Sequence, residues 1–375
     1  MLFLRILVLN WQDIKNPLAG GAEVHLHEVF GRIARRGHDV TLFCSRFEGS
    51  AAREEMNGIH VHREGGRWLF NYLVPRKYFS SFKDRHFDLI VDDLNKIPFY
   101  TPLYVKEPLL GVTHHLFGKS IFLEASVPVA SYVYLAERAA LPAYKRLRFV
   151  VGSPSTHREM LHVGFPEERT HLIHYGVAHE SFRVLGVPKS SAPLVGTVGR
   201  LKKYKSVDHL LEAFVIVRQE IPAAKLVIVG DGDDKPRLMS AATSLGIGDA
   251  VTFTGFVSED EKVRHFNEMH VAVNTSAKEG WGLTVIEANA CGTTTVASNV
   301  QGLRDAVVDG ETGLLYEYGN REQLAEKILL LLRDPHLRGT LEAKALARSK
   351  QFDWNIAADK TLEVIDRVLF EHRRG

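Results

Sequence analysis

The 375-residue sequence predicts an α/β protein made of two doubly wound parallel sheets. Three observations carry that expectation. Short apolar runs alternate with amphipathic stretches almost throughout, which is the pattern of strands joined by crossover helices. The alternation restarts at Leu194, after a stretch at 183–193 that holds Gly186, Pro188, two serines and Pro193 and reads as a linker. Hydrophobic residues make up 45% of a chain without low-complexity tracts, enough for two cores.

The first array opens with the apolar run 4–9, a buried parallel strand, followed by a loop and a helix with Leu26, Val29, Phe30 and Ile33 on one stripe. Gly37 stands where helices commonly end in a left-handed residue. Further strands are expected at 40–44, 87–91, 109–113, 149–152 and 171–174. The second array has strands at 194–198, 225–229, 250–254, 270–274 and 294–297, with a helix over 207–217 between the first two. From residue 320 onward the pattern is helical, and its last stretch, 354–371, is long enough to reach beyond its own domain. The expected domains are 1–185 and 186–353, with a final helix 354–375 that packs back on the first. Ligands of such sheets bind at the carboxyl ends of the strands, so a cleft between two facing sheets is expected.

Lysine and arginine number 47 against 45 acidic residues, and this net charge of +2 makes nucleic acid an improbable partner. Cys44 falls in a strand pattern and Cys291 at a helix end, which fits a reducing compartment better than a disulfide scaffold. Arg5 interrupts the first apolar stretch and Asn10 ends it, so no secretory leader is expected. The longest apolar runs, such as 127–136, are about half of what a spanning helix needs. A cytoplasmic chain is expected, with one alternative at the inner face of the cell membrane. The segment 63–85 interleaves Arg67, Arg76, Lys77, Lys83 and Arg85 with Trp68, Phe70, Tyr72, Tyr78 and Phe79. That mixture suits an anionic membrane surface, and it equally suits a solvated loop and helix on an acceptor side.

The run 279–287, Glu-Gly-Trp-Gly-Leu-Thr-Val-Ile-Glu, points most directly at a ligand. Its glycines precede a helical pattern whose first N–H groups can take phosphate charge. Glu279 in the loop and Glu287 in the helix can bind hydroxyls. Gly199-Arg200 ends the first strand of the second array, and Lys205 follows close to the next helix. The pair would clamp a diphosphate, Arg200 through bidentate bonds and Lys205 as a mobile charge, while Lys202 and Lys203 face solvent. Gly20 and Gly21 open the first helix and permit close approach to an anion.

Val229-Gly230-Asp231-Gly232 reads as a tight turn at which Gly230 approaches ligand, although acidic residues follow where phosphate would want amides. Phe256 and Val257 follow another strand end and border a nucleobase, with Phe256 reading equally as core. His114 and His115 end the strand 109–113, and strand alternation sends them to opposite sides, one functional and one structural. No Gly-x-Ser-x-Gly elbow, Walker lysine or His/Cys metal spacing is present, so no metal and no protein base are expected.

Taken together and in order, these motifs resemble the retaining glycosyltransferases of family 4. The resemblance rests on Gly20-Gly21, His114, Gly199-Arg200-Leu201 with Lys205, Val229-Gly230-Asp231-Gly232, and Glu279 with Glu287. It continues through Glu287-Ala-x-Ala-Cys-Gly and Asp309-Gly-Glu-Thr-Gly-Leu-Leu, so that it covers nearly the whole chain. It implies a GT-B fold, two Rossmann-like domains facing a cleft with the last helix crossing back. It also implies transfer of a sugar from a nucleotide-diphosphate donor such as a UDP- or GDP-sugar to an acceptor hydroxyl, with retention and without a metal or further cofactor.

By resemblance, Arg200, Lys205 and the amides of Leu283 and Thr284 bind the diphosphate and Glu287 holds the ribose. Glu279 and the amides of Gly280, Trp281 and Gly282 bind the donor sugar. His114, with His115 as runner-up, bonds the sugar or stabilises its charge. Gly20 and Gly21 lie against phosphate and acceptor, and the leaving phosphate takes the acceptor's proton. The acceptor is a glycan, a lipid-linked sugar or a small molecule. The alternatives on the same fold are a sugar-nucleotide epimerase and a non-catalytic sugar-nucleotide-binding protein. The chain departs from the family's pattern at Tyr175-Gly-Val-Ala (commonly Asn-Gly-Val-Asp), Ser206 (glycine), Trp281 (phenylalanine), Thr294-Thr295 (Pro-Val) and Gln301-Gly-Leu-Arg-Asp (Gly-Gly-x-Pro-Glu).

Overall fold

The computed structural model describes residues 3–94, 97–123 and 125–374. Its strands are β1 (Arg5–Leu9), β2 (Asp39–Cys44), β3 (Arg53–Met56), β4 (Ile59–Arg63), β5 (Leu89–Leu94), β6 (Leu109–Thr113), β7 (Arg148–Val151), β8 (Thr170–Leu172), β9 (Leu194–Val198), β10 (Lys225–Val229), β11 (Val251–Gly255), β12 (Val271–Asn274), β13 (Thr295–Ser298) and β14 (Gly313–Tyr316). They form two sheets in two compact units, Met1–Gly176 with Trp354–Gly375, and Val177–Asp353.

The first unit carries eight strands in the order β3-β4-β2-β1-β5-β6-β7-β8, parallel except for the β3–β4 hairpin. Leu7, Val8, Ile90 and Val91 are wholly buried, as strands covered by helices on both faces require. The helix Gly21–Arg35 buries Leu26, Val29, Phe30 and Ile33, the stripe read from the sequence. The hairpin escaped that reading because its first strand is Arg-Glu-Glu-Met, without apolar alternation. Asn57 and Gly58, both at positive φ (54° and 80°), make its tight turn, and the Asn-Gly pair was the available signal.

The helix Trp354–His372 belongs to this unit. It buries Trp354, Ala357, Leu362 and Ile365, and Asn355 Oδ1 accepts from Arg32 Nε at 3.1 Å. Asp359 pairs with Arg36 at 2.7 Å.

The second unit has the all-parallel order β11-β10-β9-β12-β13-β14. Val195, Leu226, Ile228, Val271 and Val296 pack against Leu210, Phe214, Leu324 and Ile328 from its helices. β14 is an edge strand that the sequence reading did not separate from its loop.

The division between units falls at Gly176/Val177, ahead of the expected 185/186. The stretch 183–193 is no free linker. Leu185 N donates to Asn267 Oδ1 (2.8 Å), Ser190 N to Glu268 O (3.0 Å) and Lys189 Nζ to Thr293 Oγ1 (2.6 Å). Its prolines deny it regular structure, and these bonds fasten it to the second unit. Among the described residues no helix is long and apolar enough to cross a membrane.

Candidate functional site

In the second unit the expected donor residues gather at the carboxyl ends of β9 and β12. Gly199, Arg200, Lys205, Asn274 and Ser276 line one small recess of about 10 Å³ there. Lys205 Nζ donates to Glu279 Oε1, and Ser276 Oγ donates to the same oxygen at 2.7 Å. Burial alone would push the Lys205 ammonium down, but the Glu279 carboxylate and Tyr204 outweigh it and hold it above lysine's ordinary range. The chain thus pairs two groups that were expected to serve different parts of a ligand.

Ser206, next to Lys205, has φ 49°, a left-handed conformation that glycine adopts without strain. This explains the glycine common there in the family. Lys202 bonds Asp233 at 2.7 Å, and Lys203 is exposed.

The 279–287 run folds as a loop and the start of the helix Leu283–Ala290. Gly282 begins that helix at φ 76°, and no side chain among the described residues caps it. The N–H groups of Val285 and Ile286 turn back to Gly282 O, so the amides of Leu283 and Thr284 come first at the mouth of the helix. Glu279 N donates to Gln301 O at 3.1 Å. A Cβ on Gly302, whose φ is 82°, would stand 2.2 Å from Glu279 O. Gly302 is therefore what lets the 299–303 loop close beneath Glu279, a role missed in the sequence. Trp281 is buried at 5.2 Å from the Phe352 ring, so this aromatic anchors the loop from below.

Glu287 is 6% exposed and pairs with Lys262 Nζ at 2.6 Å. Burial pushes its carboxyl up, and Lys262 only partly offsets it. Lys262 was not read from the sequence, because it reaches Glu287 from a separate helix, Glu259–Glu268.

Gly230 and Gly232 have a packing cause. A Cβ on Gly230 would lie 2.0 Å from Gly199 O, and one on Gly232 would lie 2.2 Å from Leu201 O. The turn presses on the 199–201 loop, and Leu201 N donates to Asp231 O at 2.8 Å. Gly230 thereby supports Arg200. Phe256 is not core: it is 89% exposed, on the tip between β11 and a helix capped by Ser258 and Glu261, with half-buried Val257 beside it.

In the first unit, Gly20 N donates to Glu23 Oε2 at 2.6 Å, so the chain's own carboxylate caps the helix start. A Cβ on Gly21 would meet nothing within 4 Å. The preceding loop is pinned by a buried bidentate pair, Arg63 Nε and Nη2 to Asp13 at 2.6 and 3.0 Å.

His114 is buried, and both ring nitrogens are engaged: Nε2 faces Asp93 at 3.1 Å and Nδ1 bonds the Tyr175 hydroxyl. Burial would discharge the ring, but Asp93 and then Glu23 hold its pKa above the usual value. His115 is half-buried, its ring 4.6 Å from Phe117. Tyr175, the departure from the common asparagine, packs its ring 4.5 Å from His25 and 5.9 Å from Trp354. Asp93, Tyr175, Glu23 and His25 were all missed as members of this cluster. Among the described residues no group of three or more His, Cys, Asp or Glu side chains is placed to hold a metal.

Two family models match the chain. Glycosyltransferase Family 4 covers residues 19–181, and Glycosyl transferases group 1 covers 180–348. A D-inositol 3-phosphate glycosyltransferase of Stackebrandtia nassauensis is 37% identical over 206 residues, 52% of this chain and 46% of its own length. Its counterpart in Streptomyces scabiei is 34% identical over 200 residues, 51% and 44% of the two chains. The chain thus spans about half the length of the curated relatives it matches.

Among solved structures, sucrose-phosphate synthase of Thermosynechococcus elongatus matches with a TM-score of 0.80 at 23% identity, over 98% of this chain and 100% of that one. The HepE protein of Anabaena, solved with UDP and glucose, matches at 0.77 and 20% identity over 97% and 100%. At such identities the likeness concerns the fold, which is that of the GT-B glycosyltransferases. With the two family models together running from residue 19 to residue 348, the chain belongs to glycosyltransferase family 4.

Proposed function

We propose that the chain transfers a sugar from a nucleotide-diphosphate donor to an acceptor hydroxyl with retention of configuration. The observation that carries this reading is the convergence of Arg200, Lys205 and Glu279 beside the uncapped start of the helix Leu283–Ala290. Two cations and two free-standing amides suit a diphosphate, and the carboxylate next to them suits sugar hydroxyls.

On this reading Lys205 exchanges Glu279 for the phosphate when donor binds, and Glu279 is released to the sugar. Gly280, Trp281 and Gly282 offer amides to the sugar, Glu287 takes the ribose, and exposed Phe256 with Val257 borders the base. The bond from the anomeric carbon to the β-phosphate oxygen breaks as the acceptor oxygen bonds to that carbon. The acceptor's proton passes to the departing phosphate, whose charge Arg200 and Lys205 neutralise in place of a metal ion. His114 contributes as a buried cation, held by Asp93 and Tyr175, with His115 and the Gly20–Gly21 backbone on the acceptor side. A cytoplasmic site of action belongs to the same reading.

Lys205→Ala and Glu279→Ala should each cut transfer by about 10²-fold or more. Near-normal rates in both would overturn the assignment. Assay across UDP- and GDP-sugars with acceptors present separates a transferase from a sensor, which binds nucleotide without forming product. It also separates it from an epimerase, which alters the sugar without an acceptor.

A peripheral contact with an anionic membrane is a second element of the proposal, and one observation favours it. Trp68, Leu69, Tyr72 and Phe79 are 77%, 68%, 60% and 58% exposed, with Arg67, Arg76 and Lys83 exposed among them. Sedimentation with anionic vesicles at low salt tests it, and absence of binding refutes it.

A further inference from the structure

The first unit contains a cavity of about 490 Å³ that the donor reading leaves unused. It lies at the amino ends of the sheet: Leu4 precedes β1, Asp88 precedes β5, and Pro108 precedes β6. The carboxyl ends, where His114 follows β6, are at the opposite edge of the same sheet. Leu4, Phe87, Pro108 and Leu369 give the cavity apolar walls.

Its charged lining is Lys83, Lys106 and Arg373, with His372, against Asp88 and Glu107. The two carboxylates are already engaged by the fold. Asp88 Oδ2 accepts from Arg5 N at 2.8 Å. Glu107 Oε2 accepts from the Tyr78 hydroxyl at 2.6 Å and from Lys106 N at 3.2 Å. The side-chain cations have no such partners among the described residues. Arg374, by contrast, lies over the Phe370 ring at 4.1 Å.

We propose that this cavity is a second anion site, which binds a phosphate group carried on a partly apolar molecule. Three cations from three chain segments match a group with three or more accepting oxygens better than a carboxylate with two. The apolar walls suit the carbon skeleton next to the phosphate. Phe79, exposed and 5.3 Å from the Tyr78 ring that lines the cavity, extends the apolar surface outward. The same chemistry occurs in soluble organophosphates and in the headgroups of anionic phospholipids.

The test uses the full chain carrying Arg200→Ala and Lys205→Ala, so that phosphate does not register at the donor residues. Inorganic phosphate and glycerol 3-phosphate are titrated calorimetrically at constant ionic strength, and phosphatidylglycerol vesicles are compared with phosphatidylcholine vesicles by sedimentation. Adding Lys106→Glu or Arg373→Glu should weaken binding roughly tenfold or more, whereas Arg374→Glu should leave it unchanged. Soluble phosphates that bind in this pattern identify a free organophosphate. Phosphatidylglycerol vesicles that bind in it alone identify a lipid headgroup. No binding in either arm, or binding indifferent to Lys106 and Arg373, overturns the proposal. Donor hydrolysis by the single variants Lys106→Glu and Arg373→Glu in the otherwise native chain should match wild type. The donor assignment is judged separately, by Lys205→Ala on hydrolysis, so the two readings fail independently.

Discussion

Burial and pairing pull His114 in opposite directions, and pairing prevails. The ring is buried, yet Asp93 at 3.1 Å and the charge of Glu23 hold its pKa above 6.5. Its neighbour His25, with ring centroids 5.3 Å apart, is held well below 6.5 by burial and by the His114 charge. Two neighbouring imidazoles are thus pushed in opposite directions, His114 toward its charged form and His25 toward its neutral one. Asp93→Asn should drop the His114 pKa, observed directly by NMR titration of its ring protons. Because the folded pKa is raised, the linked stability is fully present below about 6.5 and is lost as pH rises through the folded value. The stability gap between wild type and Asp93→Asn should therefore be widest in acid and close toward alkaline pH. A gap that stays constant with pH refutes the raised His114 pKa and its origin in Asp93. Asp92, next along the chain, behaves differently. Burial raises its carboxyl to about 6 despite bonds from Thr101 and Tyr144. Relative to wild type, Asp92→Asn should gain stability as pH rises from about 4 through 6, and denaturant titrations at pH 4 and pH 8 measure it.

Loops rather than strands decide whether the site groups meet, and in two of these loops one contact can be tested by substitution. The β1 loop is held by the Asp13–Arg63 pair, with both side chains at most 1% exposed. Burial pushes the Asp13 carboxyl up, but Arg63 outweighs it and holds it below 3.8. Its linked stability is therefore present above the unfolded pKa and lost as pH falls through the folded one. Arg63→Met leaves buried Asp13 without its counter-charge, with only the Lys15 N–H and the Cys44 thiol still donating to it, and should cost about 3–5 kcal/mol, shifting acid unfolding to higher pH. The double variant Arg63→Met with Asp13→Asn should recover much of that loss, and strict additivity would refute the pairing. The 299–303 loop depends on Gly302. Gly302→Ala combines a left-handed φ with overlap on Glu279 O, so it should cost about 1–3 kcal/mol and impair donor hydrolysis. Neither contact was legible in the sequence. Arg63 closes β4, whose partner strand β3 lacks apolar alternation, and it meets Asp13 fifty residues away in the chain, while Gly302 meets Glu279 only through a loop that returns from β13. Arg200, Lys205, Glu279 and Glu287 were legible because short motifs next to strand ends carry them. Lys262, Asp93 and Tyr175 were not, since each reaches its partner from a different element.

At the scale of the molecule, the alternation of apolar runs and helices revealed both sheets, because hydrophobic period is a local property. The unit boundary is set by long-range bonds, such as Asn267 to residues 183 and 185, so composition placed it too late. The same nonlocality governs stability. The first unit is completed by a segment that follows the whole second unit in the chain. Trp354, Ala357, Ala358, Leu362, Val364 and Ile365 of that last helix are all buried, and burial of a large apolar side chain contributes about 1.5–3 kcal/mol. Loss of the helix removes an amount comparable to the 5–15 kcal/mol that holds a typical domain together. A chain ending at Asp353 should therefore lose the cooperative unfolding of its first unit and expose the apolar faces of Gly21–Arg35 and the sheet. Its second unit, whose sheet and helices lie wholly within Val177–Asp353, should keep its own calorimetric transition and, if the proposed donor site is right, should still bind nucleoside diphosphate. Two transitions in the full chain and one in the truncated chain, with nucleotide raising only the survivor, is the expected pattern. Loss of both transitions on truncation would show that the second unit does not stand alone.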